Sequence, residues 1–151
     1  MVVMKTKRAK VLFICIGNSC RSPMAEAIAW RDASEEIEAS SAGLAPLGFV
    51  AKMTTQTLVK NGYAAAGLAS KPIALEAWDS ADIVINMSGR ASEFAFRNFQ
   101  GHAKIEDWEI EDPYGDSEKY QGTYESVRHR VAELAGRLRK QFAAEGGSVK
   151  Q

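Results

Sequence analysis

The feature that most constrains this chain is the passage VLFICIGNSCRSPM, Val11 to Met24, where a short apolar run stops at a polar loop and gives way to alanine-rich sequence. Lys10 to Cys15, KVLFIC, is apolar and β-branched with no polar alternation, the pattern of a strand buried on both faces. Such a strand needs helices above and below it and parallel partners reached by crossovers. The loop GNSCRS then leads to a helix predicted from Pro23 to about Ala33, with Ser22 placed as its cap, Pro23 in the first turn and Glu26 nearby.

The rest of the chain repeats that alternation. Ile37 to Gly43, IEASSAG, reads as a second strand, and the stretch from Met53 as a helix stopped by Gly62. Ile83 to Met87, IVINM, is a third strand, after which Ser88 is placed to cap a helix running to about Phe99. Lys104 to Ile110 is a fourth strand. From about Ser117 to Ala144, the residues Tyr120, Tyr124, Val127, Val131, Leu134 and Leu138 recur at helical spacing, so this helix should pack on the sheet. The expectation is an α/β fold: a single domain over residues 1–151, with a parallel sheet of about four strands, helices on both faces and an anion-binding loop after the first strand. Residues 1–9 and 145–151 are expected to fray.

Composition narrows the partners. At 151 residues the chain has the length of one domain. Lys plus Arg and Asp plus Glu both number 19, which argues against bulk nucleic acid or an anionic membrane as main partner. Two cysteines and two histidines are too few for a zinc site of several such ligands or for a disulfide framework. The basic, then apolar start superficially resembles a signal peptide, but Val11 to Ile16 is too short for its apolar region. Together with the free thiols this suggests a cytoplasmic protein.

The loop Cys15 to Ser22 carries the chemistry. Gly17 permits a backbone that turns successive N–H groups inward, the following helix adds its positive end, and Arg21 adds a planar fork matched to two oxygens of a tetrahedral oxyanion. A cysteine at the base of that pocket is favoured as thiolate, which makes Cys15 a nucleophile. Ser22 can donate to its sulfur.

The run VLFICIGNSCRSPMAEA resembles the signature of the low-molecular-weight protein tyrosine phosphatases, and the resemblance extends through Ser41-Ala42-Gly43, ADIVINM and Glu111 to Gly115, EDPYG. It implies Cys15 as nucleophile, Arg21 as phosphate clamp, Ser22 as thiolate-stabilising hydroxyl and Asn18 as loop-shaping residue. Ile16, Gly17, Ser19 and Cys20 complete the phosphate-binding loop. Asp112, fixed ahead of Pro113, is implied as general acid and then general base, with Glu111 and the bound phosphate favouring its protonated form. Tyr114 is expected on one wall of the cleft and Leu47 or Phe49 on the other, in a stretch that departs from the commoner family sequence. The substrate implied is a phosphotyrosine protein or a small aryl phosphate, with no metal or other cofactor.

Thioredoxin-coupled arsenate reductases are similar in the same loop, Ser19 included. Their mechanism uses two further distal cysteines, and this chain has none after Cys20, so a reductase here would need an external thiol. A non-catalytic oxyanion-binding module is a third reading. Cys20 is a candidate for a reversible disulfide with Cys15, which a thiol reductant would reopen. Family members often carry a histidine that orients the loop asparagine; GLASKPI, Gly67 to Ile73, has none.

Overall fold

The structure, a computed structural model, describes residues 7–149. Strand β1, Ala9–Cys15, is followed by helix α1, Arg21–Asp32, strand β2, Ile37–Gly43, and helix α2, Lys52–Lys60. Then come α3, Leu75–Ser80, β3, Ile83–Asn86, the single turn α4, Ser92–Ala95, and β4, Lys104–Asp107. A short 3-10 turn, Ser117–Lys119, opens the long α5, Tyr120–Val149. The four strands form one all-parallel sheet in the order β2-β1-β3-β4.

β1 lies inside the sheet, and its side chains divide between two cores. Val11, Phe13 and Cys15 join Met24 and Ile28 of α1 and Val127, Val131 and Leu134 of α5 on one face. Leu12 and Ile14 meet Trp78, Val84 and Phe96 on the other. A residue alternation of period two, apolar at every step, thus serves two layers at once. The six α5 residues expected to face the sheet are all buried, and Trp108 packs its ring 5.8 Å from that of Phe13. Among the described residues no helix is long and apolar enough to cross a membrane.

Four expectations need correction. The first helix begins at Arg21, with Cys20 at its cap position and no side-chain cap bond, because the Ser22 hydroxyl is taken up by Cys15 and Asn18. Ser88 does not start a helix either. Its N–H and hydroxyl both donate to Asn86 Oδ1, at 3.1 and 2.7 Å, and Gly89 follows at φ +80°, so helical sequence resumes only at Ser92. The short helix α3 carries no strong periodic signal and was absent from the sequence reading. At the ends expected to fray, Ala9 already pairs with Ile37 and Lys7 pairs with Glu145 at 2.7 Å; residues 1–6 and 150–151 lie outside the described residues.

Candidate active site

The loop after β1 sits at the carboxyl edge of the sheet, where open α/β sheets bind ligands. Its carbonyls point outward and are claimed from outside. Leu44 N–H donates to Cys15 O at 3.1 Å, Ala45 N–H to Ile16 O at 2.8 Å, Leu47 N–H to Gly17 O at 3.0 Å and Ala51 N–H to Ser19 O at 3.1 Å. The hydroxyls of Ser70 and Thr54 add bonds to Gly17 O and Ser19 O, both at 2.9 Å. With the carbonyls turned out, the amides face in. Among the described residues, no backbone N–H from Gly17 to Ser22 has a protein acceptor.

The residue that makes the turn is Asn18, at φ 47°, rather than Gly17. Asparagine tolerates this left-handed conformation better than most residues. Glycine at position 17 has a different cause: a Cβ there would stand 3.0 Å from Leu47 Cγ. Gly43, across the sheet, is still more restricted, since a Cβ would lie 2.7 Å from Ile16 O and 2.9 Å from Asn18 N.

Arg21 is 5% exposed, and its guanidinium is fixed by Nη1 donating to Met87 O at 2.7 Å and Ile110 O at 3.3 Å. Its Nε is buried with no hydrogen-bond partner among the described residues. An unpaired buried donor is costly. Here it lies on the residue that closes the loop of inward amides, so one tetrahedral oxyanion would satisfy both.

Beneath the loop a buried chain of polar groups runs to Glu26. Asn18 Nδ2 donates to Ser22 Oγ at 2.7 Å and to Ser41 Oγ at 3.0 Å, while Lys71 N–H fixes the amide by donating to Asn18 Oδ1 at 3.0 Å. Each hydroxyl therefore accepts from the same amide and keeps its own proton to give away. Ser41 gives it to Glu26 Oε1 at 2.5 Å. Ser22 has Cys15 Sγ at 3.0 Å. The backbone of Lys71 and the hydroxyl of Ser41 thus hold Asn18 in a chain whose Gly67 to Ile73 segment offers no histidine for that task. Nothing in SAG or GLASKPI marks Ser41, Ser70 or Lys71 for these bonds, and Glu26 reads from sequence only as an acid early in a helix.

Burial holds the Glu26 carboxyl above its ordinary value near 4.5, against the opposing effects of the Ser41 hydroxyl and the Lys71 charge. A folded-state value raised above the unfolded one means that ionising Glu26 costs the folded state more, so stability falls as pH rises from the ordinary carboxylate range through the folded value. The expected result is that Glu26→Gln gains stability relative to the wild type as pH increases over that window, by at most about 1.4 kcal/mol per pH unit for one proton. Urea unfolding at a series of pH values checks this; a pH-independent difference would mean that Glu26 titrates as in the unfolded chain.

Cys20 is a different kind of cysteine. Its Sγ lies 3.1 Å from Tyr120 Oη, and burial pushes its thiol up, the hydrogen bonds from Tyr120 and Thr54 only partly opposing this.

Asp112, distant in sequence, comes to the mouth of the loop. Its Oδ2 stands 3.6 Å from Arg21 Nη2, and its Oδ1 accepts from Tyr114 N–H at 3.1 Å. The carboxyl is half exposed rather than buried. Glu111, expected to bear on it, pairs with Lys119 at 2.8 Å instead. Tyr114, Leu47 and Phe49 are all exposed, at 53%, 45% and 52%. Leu47 lies against Gly17, and Phe49 offers its carbonyl to the Ser19 hydroxyl at 2.9 Å. Among the described residues no group of three or more His, Cys, Asp or Glu side chains could hold a metal ion.

Residues 10–145 match the model of the low molecular weight phosphotyrosine protein phosphatases. The chain belongs to this family. Within it, the relatives carry different names. An arsenate reductase of Shouchella clausii is 32% identical over 90% of this chain and 96% of its own length. A protein-arginine-phosphatase of Bacillus subtilis is 30% identical over 86% of this chain and 97% of its own. The crystal structure of a low molecular weight protein tyrosine phosphatase from T. tengcongensis superposes with a TM-score of 0.76 at 30% identity, covering 86% of this chain and 99% of that one. The family is enzymatic and includes phosphatases and arsenate reductases.

Proposed function

We propose that this member of the phosphatase family is a metal-free phosphomonoester hydrolase of the cytoplasm, acting on aryl phosphates and by default on phosphotyrosine in proteins. The observation that carries the reading is the buried, unpartnered Nε of Arg21 at the rim of the inward-facing amides. Those donors are set for the equatorial oxygens of a phosphoryl group in transfer.

Cys15 Sγ attacks phosphorus, the ester P–O bond breaks, and Asp112 gives its proton to the leaving phenolate. Water then attacks the phosphocysteine, Asp112 takes up the water's proton, and the S–P bond breaks to release inorganic phosphate. Ser22, its hydroxyl 3.0 Å from the sulfur, donates to the departing thiolate. Arg21 and the amides of Ile16 to Ser22 hold the phosphoryl oxygens through both steps. Tyr114 and Leu47 or Phe49 line the cleft for the aromatic ring. A peroxide would oxidise the Cys15 thiolate to a sulfenic acid, the Cys20 thiol would displace water from it to form the disulfide, and a dithiol reductant would restore the nucleophile.

A second reading, arsenate reduction with an external thiol, is favoured by the arsenate reductase likeness and by Ser19 in the loop. The two part in one experiment. A single preparation is assayed on an aryl phosphate, a phosphoserine peptide, a phosphoarginine peptide and arsenate with glutathione. Turnover is expected to be highest on the aryl phosphate. Thiol-dependent arsenite production without phosphate release would overturn the hydrolase.

A further inference from the structure

Beside the phosphate loop lies a second cleft, of about 350 Å³, that the reaction above does not use. Ile16, the neighbour of Cys15, forms its inner wall; Leu44, Ile73 and Phe94 are apolar sides, and Arg90 and Arg97 supply the charge. No carboxylate lines it. We propose that this cleft is a substrate subsite, taking an acidic side chain that flanks the phosphorylated residue of a polypeptide. The proposal rests on the hydrolase reading.

The charge is available. Among the described residues the guanidinium of Arg90 makes no ion pair or hydrogen bond. Arg97 lies over the Phe94 ring with its guanidinium carbon 4.3 Å from the centroid, and gives Nη1 to Phe94 O at 2.7 Å. Its other N–H groups have no acceptor among those residues. The nearest acids are committed or turned elsewhere. Asp107 accepts from Ser92 and Asn86 at 2.7 and 3.0 Å, Glu93 lines a neighbouring cleft that Arg97 also borders, without an ion pair to it, and Asp112 stands 3.6 Å from Arg21. Two arginines on an apolar floor, with no acid among them, suit a carboxylate carried on a short aliphatic stem.

The position is also held. Arg90 N–H donates to Ser88 Oγ at 3.1 Å, and Arg90 O accepts from Asn86 Nδ2 at 2.8 Å. Met87, three residues earlier, offers the carbonyl that orients Arg21. One turn after β3 therefore orients Arg21 and holds the backbone from which Arg90 reaches the cleft, so a substrate would be gripped at two points. A small aryl phosphate reaches only the first.

The test uses the full chain and two phosphotyrosine peptides, identical except that one carries glutamates beside the phosphotyrosine and the other alanines, together with a small aryl phosphate. The glutamate peptide is expected to be the better substrate, with the advantage in KM. Arg90→Glu with Arg97→Glu should remove it, at about fivefold per arginine, while kcat/KM on the aryl phosphate changes less than twofold. The wild-type preference should also shrink between about 0.05 and 0.5 M salt. Binding of both peptides to Cys15→Ser protein separates this proposal from the reading under it: selective binding without turnover by the wild type overturns the hydrolase and keeps the subsite. Equal affinity for the two peptides, or equal loss on all three substrates in the double variant, overturns the subsite.

Discussion

Cys15→Ser is expected to abolish phosphate release from an aryl phosphate, with kcat reduced by at least about 10⁴-fold, as when the nucleophile of a covalent mechanism is removed. Serine keeps the size of the side chain and leaves the bonds to Cys15 O and the outward-facing carbonyls intact, so the fold and the anion cradle should survive. Binding of inorganic phosphate to the variant, measured by calorimetry, verifies that. Cys20 cannot take over, because its thiol is buried, kept protonated and engaged with Tyr120. A variant that retained more than about one part in a hundred of wild-type turnover would remove Cys15 from that role.

Asp112→Asn is the second large effect, expected at roughly 10²–10⁴-fold in kcat, the usual worth of a positioned acid. Its size should depend on the leaving group. A phenol of high pKa needs the proton in flight and should show the full loss, whereas a leaving group that departs readily as an anion should show much less in the first step. The amide remains able to accept from Tyr114 N–H, so the loop should hold its shape. Loss of the ion pair with Arg21, 3.6 Å long and half exposed, is a small perturbation by comparison. In kcat/KM, which reports the first step alone, an equal effect on every leaving group would assign Asp112 to holding Arg21 rather than to protonating the leaving group; no effect on kcat or kcat/KM would remove it from the reaction.

The sheet was legible because its signal is local: KVLFIC and IVINM are runs whose apolar content needs two covered faces, and both, like the more polar IEASSAG, form strands. The loop was legible because Gly, Asn, Ser and Arg in that order between a strand and a helix leave few other uses. What sequence did not reveal depends on contacts distant along the chain. Glu26 reads as an ordinary early-helix acid, yet it ends a buried path from Asn18 through Ser41, 15 residues away. Ser22 reads both as a cap and as a donor to Cys15, and the amide of Asn18 on its hydroxyl leaves it the second task alone. Lys71 holds Asn18 through a backbone N–H, which any residue but proline would supply, so no side-chain pattern marks it.

The outward turn of the loop carbonyls also shapes how stability and ligand are linked. A ring of parallel N–H dipoles, closed by an arginine whose Nε has no partner among the described residues, places like partial charges close together in the native state. The segment from Leu44 to Ala51, with Ser70 and Thr54, holds that arrangement against its own repulsion. An oxyanion of the right size relaxes the repulsion without moving the backbone, and binds only the folded chain. Inorganic phosphate is therefore expected to raise the melting temperature with its concentration, and under the proposed hydrolysis the released product and the stabilising ligand would be the same ion.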